Sequence, residues 1–235
     1  MKVLGHRGAP RERPENSLEG FERALELGAD GVELDARRCV SGELVVCHDP
    51  TLQRTAGRPD RVRDTPWSEL RRVDLGGGAR LPRLAEVLAL WGPRGLVNIE
   101  VKGDDADLPA LARSLAEDLQ AVPEARVLVS SFWPEALRAV RGRCPGVPLG
   151  RLWEPTGDAP EGPPPAWSRG PWEAVHPHWS QCWEPWVRLW RAEGLFVHAW
   201  TVDEVPTALA LRGYGVTSVI TNEVAAMVGA LGARR

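Results

Sequence analysis

Short apolar runs in this chain end in residues that could do chemistry. His6-Arg7 follows Val3-Leu4, and Glu33 and Asp35 stand two apart in the run 31–36. His48-Asp49 follows Leu44-Val45-Val46-Cys47, and Glu100 and Lys102 stand two apart at the close of the run 95–101. Side chains two apart on a strand share a face. If the runs are parallel strands of one barrel, their ends crowd the C-terminal mouth, where barrel enzymes keep their active sites. Three carboxylates with no thiolate suit a hard cation such as Mg²⁺ or Ca²⁺. Two imidazoles suit proton transfer near neutral pH. A lysine, an arginine and a divalent cation together suit an anionic, oxygen-rich substrate such as a phosphate ester. Taken singly, each pair is an ordinary solvated strand face; gathered at one set of inward strand ends, they are not.

The elements that must position these residues alternate between two periods. Residues 17–27 carry Leu18, Phe21, Ala24, Leu25 and Leu27 on one helical face, with Ser17 or Asn16 as cap and Gly28 as stop. Further strands are predicted at 126–130, 148–152, 174–176, 196–201 and 216–221. Helices are predicted at 84–91, 107–119, 133–143, 184–193, 203–211 and 223–231. Repeated βα units imply a parallel sheet, either open and doubly wound or closed. Eight principal strands in 235 residues fit a single-domain α/β (β/α)₈ TIM barrel over 1–235 better. Residues 49–81 read as a small insertion after the second strand. The Pro- and Gly-dense stretch 153–173 reads as a degenerate fifth helix.

Composition narrows the classes. Hydrophobic residues at 43% and charged residues at 26% exclude a disordered or fibrous chain. The net charge of −3 disfavours a nucleic-acid binder. No apolar run is long enough to span a membrane, so no stable membrane anchor is expected, and the N-terminus lacks a signal-peptide core. Cys39, Cys47, Cys144 and Cys182 have no paired spacing and read as reduced thiols in a cytoplasmic protein. Only Lys2 and Lys102 are lysines, so 27 of the 29 basic residues are arginine. A lysine that survives in such a chain invites a reason.

The motifs His6-Arg7-Gly8-Ala9, Pro14-Glu15-Asn16-Ser17, Glu33-Leu34-Asp35, His48-Asp49-Pro50-Thr51-Leu52, Asn98-Ile99-Glu100-Val101-Lys102, Ser130-Ser131-Phe132 and Trp200-Thr201-Val202 occur in order. Together they resemble the glycerophosphodiester phosphodiesterase family, with its TIM barrel of the phosphoinositide phospholipase C type. The resemblance implies Glu33, Asp35 and Glu100 as metal ligands for Mg²⁺ or Ca²⁺, with Mn²⁺ also admitted. It implies His6 and His48 as the acid–base pair, and Arg7, Glu15 and Lys102 around the phosphate and ligand shell. Trp200 would line the pocket for the alcohol. The implied substrate is a small glycerophosphodiester, cleaved to glycerol 3-phosphate and an alcohol by water or by its own 2-hydroxyl. A lysophospholipase D acting on lysolipids with the same site is the alternative. The family's last strand usually ends Thr-Asp. This chain has Thr221-Asn222, a change expected to affect a helix cap or pocket edge and no core catalytic position.

Other features have plainer readings. His176-Pro177-His178 spells the H-x-H of zinc-binding barrels but sits on the sixth strand, and reads as a surface or rim pair. Gly76-Gly77-Gly78 lacks the Lys-Ser/Thr of a phosphate-binding loop. Cys47 and His48 are adjacent, face opposite ways on a strand, and make no nucleophile pair. Eight of the 11 tryptophans fall within 153–200, as helix packing or as an aromatic platform.

Overall fold

A computed structural model describes residues 1–104, 107–154 and 170–232. In chain order the strands are β1 (Lys2–His6), β2 (Gly31–Arg38), β3 (Leu44–Val46), β4 (Asp74–Gly76), β5 (Ala79–Arg80), β6 (Leu96–Val101), β7 (Arg126–Ser131), β8 (Leu149–Trp153), β9 (Ala174–Pro177), β10 (Phe196–Ala199) and β11 (Ser218–Thr221). The helices are α1 (Leu18–Glu26), α2 (Gln53–Ala56), α3 (Trp67–Leu70), α4 (Leu84–Trp91), α5 (Leu108–Ala121), α6 (Pro134–Arg143), α7 (Glu184–Ala192), α8 (Val205–Tyr214) and α9 (Val224–Leu231).

Local chemistry sets these limits. The Ser17 hydroxyl accepts the Gly20 N–H at 3.0 Å and caps α1, while Gly28, at φ +84°, takes the left-handed turn that stops it. Phe21 and Ala24 then enter the core beside Trp91 of α4, whose indole N–H donates to the Phe21 carbonyl at 2.8 Å. Truncating a buried aromatic such as Trp91 would cost about 3–5 kcal/mol. α8 begins two residues later than its periodicity suggests, because Asp203 spends its carboxylate on Thr221 and Asn222.

Eight parallel strands run β1-β11-β10-β9-β8-β7-β6-β2, and β1 pairs with both β11 and β2, so the sheet closes as a TIM barrel. The register sets Glu33 beside His6 and Asn98, and Asp35 beside Glu100. β3 is antiparallel to the far end of β2 and carries the chain back over the mouth towards His48. Between β3 and α4 the chain folds α2, a 3₁₀ turn, α3 and the β4–β5 hairpin around Leu52, Val62, Leu70, Val73 and Leu81.

The stretch read as a degenerate fifth helix begins inside β8, and its residues 155–169 lie outside the described residues. All four cysteines are free. Among the described residues no helix is long and apolar enough to cross a membrane.

Candidate active site

The carboxylates meet at the mouth. Glu33, Asp35 and Glu100 are buried, and each offers an oxygen within 4.8 Å of the others. Lys102, two residues beyond Glu100 on the same face, places its ammonium 2.8 Å from Asp35 Oδ1 and against Glu100 Oε1. Its charge faces Asp35 and Glu100. Arg7 closes the other side, with Nε 3.2 Å from Asp35 Oδ2. Burial raises the Asp35 carboxyl, but Lys102 and Arg7 outweigh it and hold the group below the usual carboxylate range. Glu33 goes the other way, pushed well up by burial and by Asp35 and Glu100. Burial and Asp35 push Glu100 up to about 7 despite Lys102. Two protein cations thus leave two of three crowded carboxylates undercompensated. That all-oxygen donor set fits a divalent cation.

Arg7 is held in an unusual backbone state, φ 57°, and its N–H lies 3.2 Å from Glu33 Oε2. Gly8 follows at φ +94° and packs so closely on Gly20 that a Cβ would meet its carbonyl carbon at 2.7 Å. The left-handed pair turns the chain so that Arg7 faces inward. Glu15 sits behind it, 3.0 Å from the Arg7 guanidinium and 2.8 Å from Arg54. Glu15 therefore positions Arg7 and is absent from the cavity lining. Asn16, also at positive φ, is no helix cap. It donates its amide to Asp35 Oδ2 at 2.9 Å.

The histidines are backed differently. His6 Nδ1 lies 2.8 Å from the Asn222 side-chain oxygen, and the Asn222 amide nitrogen donates to Asp203 at 2.8 Å. With that nitrogen spent on Asp203, Asn222 presents its carbonyl, so His6 carries its proton on Nδ1 and a lone pair on Nε2. Position 222, expected to affect only a helix cap or pocket edge, instead contacts His6, one of the predicted site residues, across 216 positions and orients its ring. Burial, then Arg7, lowers His6 to about 4. His48 instead sets Nδ1 2.6 Å from the Asp49 carboxylate, which Arg54 holds at 2.7 Å. Burial lowers His48 as well, with Asp35 and the Asp49 bond working against it. Arg37 fixes the His48 backbone, donating Nε to its carbonyl at 2.9 Å while its fork grips Asp104 at 2.9 and 3.2 Å.

A cavity of about 350 Å³ opens among His6, Arg7, Glu33, His48, Glu100, Lys102 and Trp200, so seven of the nine predicted site residues line it. Asp35 lies beneath this lining and Glu15 behind it. Phe132 stands edge-on to Trp200 at 5.5 Å, and the Trp200 indole donates to the His176 carbonyl at 2.8 Å. His176 itself departs from its rim reading. It is fully buried inside the barrel, 4.7 Å from the His198 ring, because inward residues of adjacent parallel strands stack in layers. Cys47 donates to the Asp49 carbonyl and burial pushes its thiol up to about 12, so it is no nucleophile.

Comparison with known proteins decides the lineage. The model of the glycerophosphoryl diester phosphodiesterase family matches residues 6–226. The chain belongs to that family. A glycerophosphodiester phosphodiesterase of Caldanaerobacter subterraneus subsp. tengcongensis is 32% identical over 94% of this chain and 93% of its own. An Oleispira antarctica phosphodiesterase, solved with the product sn-glycerol-3-phosphate, superposes with a TM-score of 0.88 at 25% identity, covering 99% of this chain and 97% of that one. The Thermotoga maritima glycerophosphodiester phosphodiesterase gives 0.79 at 27% identity, over 97% of each chain. Membership makes the chain an enzyme of the phosphoric diester hydrolase class. The lysolipid alternative is not favoured: these family members are named phosphodiesterases.

Proposed function

We propose that the chain hydrolyses glycerophosphodiesters to glycerol 3-phosphate and an alcohol at the β1–β2–β6 mouth. The observation that carries the reading is two oppositely backed histidines flanking one cavity that also holds the carboxylate cluster. Glu33, Asp35 and Glu100 would hold a divalent cation, Mg²⁺ or Ca²⁺ by donor type, with Mn²⁺ also suited. Bound there, the cation would supply Lewis-acid polarisation of a non-bridging phosphate oxygen.

The protein's own residues divide the remaining work. Lys102 has three N–H donors; two meet Asp35 and Glu100, and the third, with no partner among the described residues, would serve a phosphate oxygen. Arg7 adds a second cation on the cavity wall, kept in place by Glu15. His6, with its lone pair on Nε2, takes the proton from the attacking oxygen. His48, backed by a carboxylate that favours imidazolium, donates Nε2–H to the departing alcohol. Trp200 and Phe132 form the apolar wall beside the reacting centre. The four free thiols suit a reducing compartment, and a cytoplasmic location completes the proposal.

Product identity tests the reading. Glycerophosphocholine incubated with the protein and Mg²⁺, Mn²⁺ or Ca²⁺ in turn is expected to give glycerol 3-phosphate and choline in equal amounts. Phosphocholine and glycerol instead would place the cleaved bond on the other side of phosphorus and refute it.

A further inference from the structure

One carboxylate at the mouth plays no part in the chemistry above. Glu154 follows β8 directly and shares the inward face with Leu152, two residues earlier. Among the described residues it has no ion pair and no side-chain hydrogen bond. Nearby Arg151 donates instead to the carbonyls of Ser131, Phe132 and Leu152. Glu154 lines the catalytic cavity together with Phe132 and Trp200. It also lines the adjoining cavity, of about 530 Å³, with Phe132 and Trp133. The two spaces share His48, Glu100, Lys102, Phe132 and Glu154, so Glu154 borders the route outward from the phosphate position.

Phe132 and Trp133 form the aromatic part of that route's wall, beside Arg37, Pro50 and Asp104. Trp133, Phe132, Trp200 and His178 form an unbroken arc of edge-on rings, with centroid separations of 6.2, 5.5 and 5.4 Å. Trp133 is pinned against Gly103, where a Cβ would come 2.8 Å from its ring. The charge of Glu154 acts on the His178 ring at the end of the arc, opposing the effect of burial there. The cavity therefore holds both signs of charge. Arg7 and Lys102 line the inner space, and Lys102 and Arg37 reach the outer one while paired with Asp35, Glu100 and Asp104. Glu154, without a partner among the described residues, borders both spaces beside the aromatic rings. Aromatic faces and a lone carboxylate attract the same species, a desolvated ammonium.

We infer that the site selects glycerophosphodiesters whose alcohol bears an ammonium group, with Glu154 and the Phe132–Trp133–Trp200 arc as the recognition end. The inference rests on the phosphodiesterase reading and specifies its substrate class. Phosphate at Lys102 and ammonium at Glu154 give each charge of a zwitterion an opposite charge in the cavity lining. Glu154 determines specificity and touches no reacting atom.

The test compares kcat/KM for glycerophosphocholine and glycerophosphoethanolamine with that for uncharged-alcohol glycerophosphoglycerol, all with saturating Mg²⁺. A partly exposed carboxylate plus a cation–π contact implies a preference of about 5- to 20-fold for the ammonium diesters, shrinking as salt rises. Glu154→Gln is expected to bring that ratio to about two, through KM for the ammonium diesters, and Glu154→Lys to invert it. A fold defect would lower kcat for all three diesters together and leave the ratio untouched. A wild-type ratio near one, or a ratio that survives Glu154→Gln, would overturn the ammonium site while leaving the phosphodiesterase reading standing. Absence of glycerol 3-phosphate from all three diesters would overturn both.

Discussion

Replacing Lys102 separates a chemical role from a structural one. Its ammonium is 5% exposed, bridges Asp35 and Glu100, and is held protonated by them against the cost of burial. Among the described residues, Lys102→Met would leave the cluster with Arg7, paired with Asp35, as its remaining Lys or Arg partner. Breaking such a buried pair costs about 3–5 kcal/mol. For a chain of this size that is a fall in Tm on the order of 6–15 °C without metal. A saturating divalent cation should recover much of it by replacing the lost charge. Catalysis should not recover. The third N–H would be gone, and losing a donor to a phosphate in a dry site costs roughly 10²–10³ in kcat. Lys102→Arg keeps the charge, but a planar fork must fit a slot built for a compact ammonium between two carboxylate oxygens. We expect it to lose about 10-fold or more in kcat, approaching the methionine variant. Steady-state kinetics and thermal melts of both variants, with and without Mg²⁺, decide the matter. Near-normal kcat for the arginine variant, with the methionine variant losing mainly Tm, would reduce Lys102 to a structural ion pair.

His6→Ala and His48→Ala should each lower kcat by about 10²–10⁴-fold with divalent-cation affinity by calorimetry near wild type. A diester with a phenolate leaving group should rescue His48→Ala alone, and equal rescue of both would undo the division of labour. Asn222→Leu removes the acceptor of the His6 Nδ1 proton, a loss of about 1–2 kcal/mol that should appear as roughly 10-fold in kcat with little change in KM. Asn222→Asp, which keeps an acceptor oxygen, should retain more activity, and wild-type kcat in the leucine variant would show the ring is fixed by other means. Burial holds His198 down at about 3 and His176 well below its ordinary value, so below pH 6.5 the unfolded chain binds protons that the folded barrel refuses. Stability should fall as pH drops from 6.5 towards 3, by up to about 1.4 kcal/mol per pH unit for each ring. Melts of wild type and His198→Phe between pH 4 and 7 should show a shallower slope in the variant, and equal slopes would count against this origin.

The parts of this site that are local in sequence were legible there. Glu33 with Asp35, and Glu100 with Lys102, obey the two-residue period of a strand, and His6 and His48 end apolar runs. The contacts that aim these groups were not legible, because barrel closure makes them. Asn222 reaches His6 only after β11 pairs with β1, across 216 residues. Asn16 resembles a helix cap by type, and it reaches Asp35 because its backbone and that of Arg7 both turn left-handed. Arg37 reads as one more strand arginine until β3 folds back and brings the His48 carbonyl to it. His176 looked like half of an H-x-H rim pair. Strand register puts it inside the barrel beside His198, with His178 left at the mouth.

The carboxylate cluster of Glu33, Asp35 and Glu100 is the centre of the proposed chemistry, and turnover of glycerophosphocholine by exhaustively dialysed protein tests it. In excess EDTA, glycerol 3-phosphate release is expected to stop, because the cluster of Glu33, Asp35 and Glu100 would then hold no cation to polarise the phosphate. Adding back a divalent cation should restore release in wild type, and Glu33→Gln and Glu100→Gln should each need more of the cation for the same rate. Full turnover in EDTA, with no response to added cation, would contradict the account.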